Sequence, residues 1–176
     1  MTPLYCIIGP SGTGKSTLEE NIKSEFNWLR SADSYTTRPP RYDGEHSHKF
    51  VSKEQFDKLK LLAYTRYNGY EYGVTKEILD NTDLYVVDLD GLLYLKEHYT
   101  NRPIITIGLE AEPSVRYDRM IARGDSIEKA NNRIEYDGRS FINYLDYCDV
   151  VLDANGDANS VLAQFVDKVI EFENGL

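Results

Sequence analysis

Apolar residues recur along the chain with two different periods. Leu4-Tyr5-Cys6-Ile7-Ile8 is a continuous apolar run, too short for a helix and with no polar side to turn towards water. That is the pattern of a strand buried on both faces. Comparable runs at 84–87, 104–109 and 149–152, with a shorter one at 27–30, predict five strands. Between them the spacing changes to three and four. Leu18, Ile22 and Phe26 share one face of a helix over 17–26, and Ser52 caps a second over 53–62 carrying Phe56, Leu59 and Leu62. A third helix covers about 112–122. A closing one at 161–172 turns Val161, Leu162, Phe165, Val166, Val169 and Ile170 inward. Residues 64–72 alternate, are rich in tyrosine and hold a central Asn68-Gly69, which predicts a β-hairpin. Strands interleaved with helices give an α/β fold, a parallel sheet flanked by helices with right-handed crossovers.

The first run leads into Gly9-Pro10-Ser11-Gly12-Thr13-Gly14-Lys15-Ser16, and a helical pattern begins near Ser16. Glycines let the backbone curl so that successive N–H groups point inward, and the helix N-terminus adds partial positive charge at the same spot. An oligophosphate is the natural guest, held by Gly9, Ser11, Gly12, Thr13, Gly14, Lys15, Ser16 and Thr17. In such a P-loop, the phosphate loop of NTPases, Lys15 reaches the β- and γ-phosphates and the Ser16 hydroxyl coordinates Mg²⁺. ATP is the expected co-substrate.

Composition narrows the rest. The 176 residues fit one domain, with any further parts as insertions. Apolar content of 41% and charged content of 28% are ordinary for a water-soluble chain, and no run approaches a membrane span. The opening Met1-Thr2-Pro3 has no basic region of the kind that starts a signal peptide, so a cytoplasmic protein is expected, with no membrane partner. Cys6 and Cys148 are far apart in sequence and read as reduced thiols. Twenty basic against twenty-nine acidic side chains, a formal charge of −9, oppose binding to a polynucleotide. The arginines that matter are therefore local clusters.

Arg38 and Arg41 flank two prolines, which stiffen the segment and hold two guanidinium groups in fixed relation, suited to a phosphate monoester. Without a P-loop upstream, a solvated, proline-stiffened loop would be the better explanation. The strand at 84–87 ends in Asp88-Leu89-Asp90, at the edge of a parallel sheet where ligands bind. Asp88 is the candidate Mg²⁺ ligand. Asp90 either faces a nucleoside or caps the next helix. The polar stretch 124–139 carries arginines expected of a lid closing over a polyphosphate.

Thr36-Thr37-Arg38-Pro39-Pro40-Arg41, then Gly44-Glu45 and Phe50-Val51-Ser52, resembles the monophosphate-binding part of guanylate kinases. Gly69 with Tyr72-Gly73, the strand end at 86–91, Arg119, Arg123-Gly124 and Arg133 extend the resemblance over nearly the whole chain. It implies a core at 1–32, 75–123 and 140–176, a monophosphate-binding insertion at 33–74 and a lid at 124–139. It implies transfer of a phosphoryl group from ATP to a (deoxy)nucleoside monophosphate, by a monomer or homodimer. Lys15, Arg119, Arg123 and Arg133 would be catalytic, Arg116 and Arg139 surface residues. Ser34, Arg38, Arg41, His48, Tyr72 and Asp90 would hold the monophosphate, and Asn155 would touch adenine.

The resemblance breaks at the base. The family's guanine-binding glutamate position is Ala63, its hydroxyl after Tyr-Gly is Val74, and its first phosphate-binding tyrosine is His48. Glu71, Tyr64, Tyr67 and Arg66 are available to compensate. Guanylate is the default acceptor; a different base is the alternative. A catalytically silent binding module would not need Lys15 and Ser16. A kinase of sugars or polyols would need a base beside its acceptor hydroxyl.

Overall fold

The computed structural model describes residues 2–40, 43–45, 48–67 and 69–175. In chain order the elements are β1 (Leu4–Ile8), α1 (Lys15–Glu25), β2 (Tyr35–Thr36), β3 (Lys49–Phe50), α2 (Lys53–Phe56), β4 (Leu61–Tyr67), β5 (Tyr70–Thr75), α3 (Lys76–Asp80), β6 (Leu84–Val86), α4 (Leu89–His98), β7 (Ile104–Glu110), α5 (Pro113–Ala122), α6 (Ile127–Ser140), a 3-10 turn (Tyr144–Tyr147), β8 (Val150–Asp153) and α7 (Ala158–Asn174).

Every residue of β1 is buried, as its unbroken apolar run requires, and it lies inside a parallel sheet of order β6-β1-β7-β8. Its side chains alternate between two apolar layers. Tyr5 and Ile7 join Leu18 and Ile22 of α1 and Phe165 of α7, while Leu4, Cys6 and Ile8 join Leu92 and Leu95 of α4. Both cysteines are free thiols, and burial pushes Cys6 up to about 12. A second sheet, of order β3-β2-β5-β4, is mixed: β2 and β3 run parallel, the other pairs antiparallel. None of the described helices is long and apolar enough to cross a membrane.

Several elements depart from their sequence-based expectations. No strand forms at 27–30; only Ser31 bridges to Leu84. Trp28 sits in a turn, 66% exposed, and the Asp83 carboxylate takes both the Arg30 backbone N–H and its Nε at 3.0 Å. The clamp adds to a single short bridge, in which the Leu84 N–H donates to the Arg30 carbonyl at 3.0 Å and the Ala32 N–H to the Leu84 carbonyl at 2.9 Å. The helix opened by Ser52 has a full capping box but ends at Phe56, because Leu61 and Ala63 pair with Thr75 and Val74 in the hairpin. Hairpin pairing overrides the helical spacing of Leu59 and Leu62. The polar stretch after Gly124 is a helix, α6, capped by Ser126. In α7, Ile170 is 53% exposed rather than buried, at the end of a helix that starts earlier, at its Asp157 cap.

Candidate active site

Among the described residues, five of the seven helices are opened by a side-chain cap, from Ser52, Thr75, Asp88, Ser126 or Asp157. Helix α1 is not. It follows Gly14, whose φ of 93° suits glycine and whose missing side chain would meet nothing within 4 Å. The first-turn N–H groups of α1, including those of Ser16 and Thr17, are therefore left for an outside acceptor, which is the arrangement that binds phosphate. Gly12, with φ of 80°, brings the loop against α5 so closely that a Cβ there would stand 2.6 Å from the Arg116 carbonyl oxygen. Buried Thr13 braces the turn by donating from Oγ1 to the Pro10 carbonyl at 2.9 Å. Lys15 is folded back, its Nζ donating to the carbonyls of Gly9 at 2.6 Å and Pro10 at 3.0 Å. Burial pulls the ammonium down to about 8, with the carboxylates of Asp137 and Asp88 opposing the shift.

Asp88 follows β6 and caps α4, accepting the Gly91 N–H at 2.7 Å. The sequence offered that cap to Asp90, which instead is exposed in the first turn of α4. Among the described residues, no three His, Cys, Asp or Glu side chains form a metal cage. The donors near the loop, the Ser16 hydroxyl and one Asp88 carboxylate, suit a hard cation that draws its remaining ligands from phosphates and water.

The second sheet gathers another group. Ser34 Oγ lies 2.9 Å from His48 Nδ1, and the His48 ring meets Tyr72 edge-on at 5.5 Å between centroids. Arg38, 8% exposed, forks onto Glu45 through Nη2 to Oε1 at 2.7 Å and Nη1 to Oε2 at 3.2 Å, and lies 5.2 Å from the Phe50 ring centre. The Glu45 bonds raise its affinity for the proton against burial, and Tyr72 adds a hydrogen bond. Arg41 lies outside the described residues. Ala63 and Val74 face each other across the hairpin, both buried in the apolar layer with Val87 and Leu92. Glu71 accepts from Lys53 Nζ and from the Tyr64 hydroxyl at 3.0 Å each.

The arginines divide by position. Arg119 spans from the Thr13 carbonyl at 3.5 Å to the Gly156 carbonyl at 2.6 Å. Asn155 beside it accepts the Glu112 N–H at 2.8 Å and donates to Asp153. Asp125 gathers Arg123 at 2.6 Å, Lys129 at 3.1 Å and Arg133 at 3.6 Å. Burial alone would raise this carboxyl, but the bonds from Arg123 and Lys129 hold it below the ordinary range. Arg139 is exposed and pairs with Glu135 as a surface residue would. Arg116, also expected at the surface, is buried: its Nε donates to the Ser11 carbonyl at 2.8 Å and its Nη2 to Asp137 at 2.8 Å. Glu45, Asp125 and Asp137 were missed as site residues. Of these only Glu45 carried a sequence signal, in the Gly44-Glu45 step of the arginine segment.

Residues 1–169 match the family model described as guanylate kinase. A guanylate kinase of Clostridium tetani is 37% identical over 140 residues, covering 72% of this chain and 66% of that protein. The matched part thus spans slightly less than two thirds of that relative. One from Oceanobacillus iheyensis is 28% identical over a 180-residue alignment, covering 94% of this chain and 84% of the other. The crystal structure of guanylate kinase from Anaplasma phagocytophilum shares the fold, with a TM-score of 0.64 and 22% identity over 97% of this chain and 85% of that one. With a family model spanning all but its last seven residues, the chain belongs to the guanylate kinase family.

Proposed function

We propose that the protein transfers the γ-phosphoryl group of ATP to a nucleoside monophosphate, with (d)GMP as the default acceptor, giving ADP and the nucleoside diphosphate. The observation that carries this reading is the start of α1, free of any side-chain cap at Gly14 and flanked by Lys15. Lys15 exchanges the Gly9 and Pro10 carbonyls for the β- and γ-phosphates, and the amides at the start of α1 cap the same oxygens, while the Ser11 N–H stays on Asp137. Ser16 and Asp88 would hold Mg²⁺, which would supply positive charge to the phosphate oxygens. Arg38 with Arg41, Tyr72 and His48 orients the acceptor phosphate, while Glu45 keeps the Arg38 fork flat and aimed. Arg123 and Arg133, gathered on Asp125, neutralise the migrating group. Arg119 and Asn155 line the end towards adenine. No general base is needed, because the attacking phosphate oxygen is already an anion. Catalysis consists of positioning and charge neutralisation.

A second reading concerns the base. Ala63 and Val74, at positions where the family pattern has polar guanine contacts, are packed in the apolar layer. Losing a hydrogen bond to a charged group removes roughly 1.5–3 kcal/mol, about one to two decades of discrimination. That favours an acceptor range broader than guanylate. Steady-state rates with Mg-ATP and the full panel of ribo- and deoxynucleoside monophosphates test both readings, with Lys15→Ala as the blank. Turnover confined to guanylates by three decades removes the broad-range reading. Turnover of none removes the kinase reading and favours a binding module.

A further inference from the structure

Helix α6 touches the P-loop through one carboxylate. Asp137 Oδ2 accepts the Ser11 N–H at 2.7 Å and the Arg116 Nη2 at 2.8 Å, and Arg116 Nε donates to the Ser11 carbonyl at 2.8 Å. Both backbone polar groups of one residue of the loop are thus taken by an ion pair whose side chains are 7% and 6% exposed. The pair is a closed unit with no net charge, so it brings a carboxylate to a phosphate site without repelling the guest. It also joins three elements. Arg116 and Arg119 share one face of α5, Arg123 is the residue that caps its C-terminus, and Arg133 lies one turn before Asp137 on α6. A cleft of about 560 Å³ is lined by Ser11, Arg133, Asp137 and, from the hairpin, Arg66.

Resting on the kinase reading above, we propose that Asp137 and Arg116 are positioning residues that lock α5 and α6 to the Ser11 peptide and so set Arg123 and Arg133 over the P-loop. Neither needs to touch a nucleotide. One oxygen of Asp137 accepts both hydrogen bonds, so an asparagine carbonyl in its place keeps the joint, whereas alanine removes it and leaves Arg116 buried without its partner.

The test is steady-state kinetics on Asp137→Ala, Asp137→Asn and Arg116→Lys, with melting temperatures of each and amide exchange at Ser11. In Asp137→Ala, kcat falls at least tenfold, KM for the monophosphate stays within twofold, and the Ser11 amide loses protection. Asp137→Asn recovers kcat to within about threefold of the parent. Arg116→Lys keeps the charge but cannot reach the Ser11 carbonyl and Asp137 together, so it lowers kcat while folding normally, and it carries the test if Asp137→Ala does not fold. Parental kcat in Asp137→Ala or Arg116→Lys overturns the inference, as does an Asp137→Asn no better than alanine. A parent chain without turnover on any monophosphate overturns the kinase reading itself, and this inference with it.

Discussion

Lys15 shows what one residue's surroundings do to its chemistry. Its ammonium, ordinarily at 10.5, is lowered to about 8 by burial among the loop carbonyls. Phosphate oxygens favour the charged form, so binding raises the value again. The bound state then holds more protons than the free one between about pH 8 and 10.5, and affinity for ATP falls as pH rises through 8. Calorimetry at pH 8.5 in two buffers of different ionisation enthalpy is expected to show proton uptake on ATP binding, abolished in Lys15→Met; equal observed heats in the two buffers would contradict it. Glu45 tests the acceptor side. Weakening its fork in Glu45→Gln leaves the Arg38 guanidinium less firmly aimed and should raise KM for the monophosphate about tenfold, with KM for ATP unchanged. Lys15 and Arg38 were legible in the sequence because glycines and prolines fix their backbone setting. Asp125 and Asp137 were not. A single acid in a polar stretch has no periodic signature, and its partners, Arg123 and Arg133 or Ser11 and Arg116, are chosen only when α5 and α6 pack.

At the level of elements, legibility followed length and burial. The apolar runs of β1 and β7, and the spacing of Leu18 and Ile22 in α1, each had only one compact solution. Short segments had two. Leu59 and Leu62 continue a helical period from Phe56, yet pairing of β4 with β5 wins the second of them for a strand. Residues 27–30 offered only two apolar side chains, of which Leu29 is buried and Trp28 stays exposed, too short a run to extend the single bridge into a strand. Asp88 couples element to chemistry, since the carboxylate that caps α4 is also the candidate metal ligand. Asparagine caps as well as aspartate, so Asp88→Asn should leave the melting temperature nearly unchanged while lowering kcat at least tenfold. Asp88→Ala should lose about 1 kcal/mol of capping as well, lowering the melting temperature by roughly 2–4 °C. Equal kcat in the parent and Asp88→Asn would restrict Asp88 to capping.

For the whole molecule, a parallel sheet presents the P-loop and Asp88 at one edge, and a second sheet presents Arg38, His48 and Tyr72. A ligand that binds only the folded chain stabilises it by mass action. Saturation of the P-loop with Mg-ATP at 100 times its dissociation constant contributes about 2.7 kcal/mol, or roughly 5–11 °C in melting temperature for a chain of this size. Lys15→Ala should lose most of that shift, which scanning fluorimetry reads directly. Phosphoryl transfer between two nucleotides is measured without coupling enzymes by ³¹P NMR of the protein with Mg-ATP and GMP. ADP and GDP resonances are expected to grow together in equal amounts, and neither with Lys15→Ala. ADP appearing with inorganic phosphate in place of GDP, or no change in either nucleotide across the monophosphate panel, would contradict it.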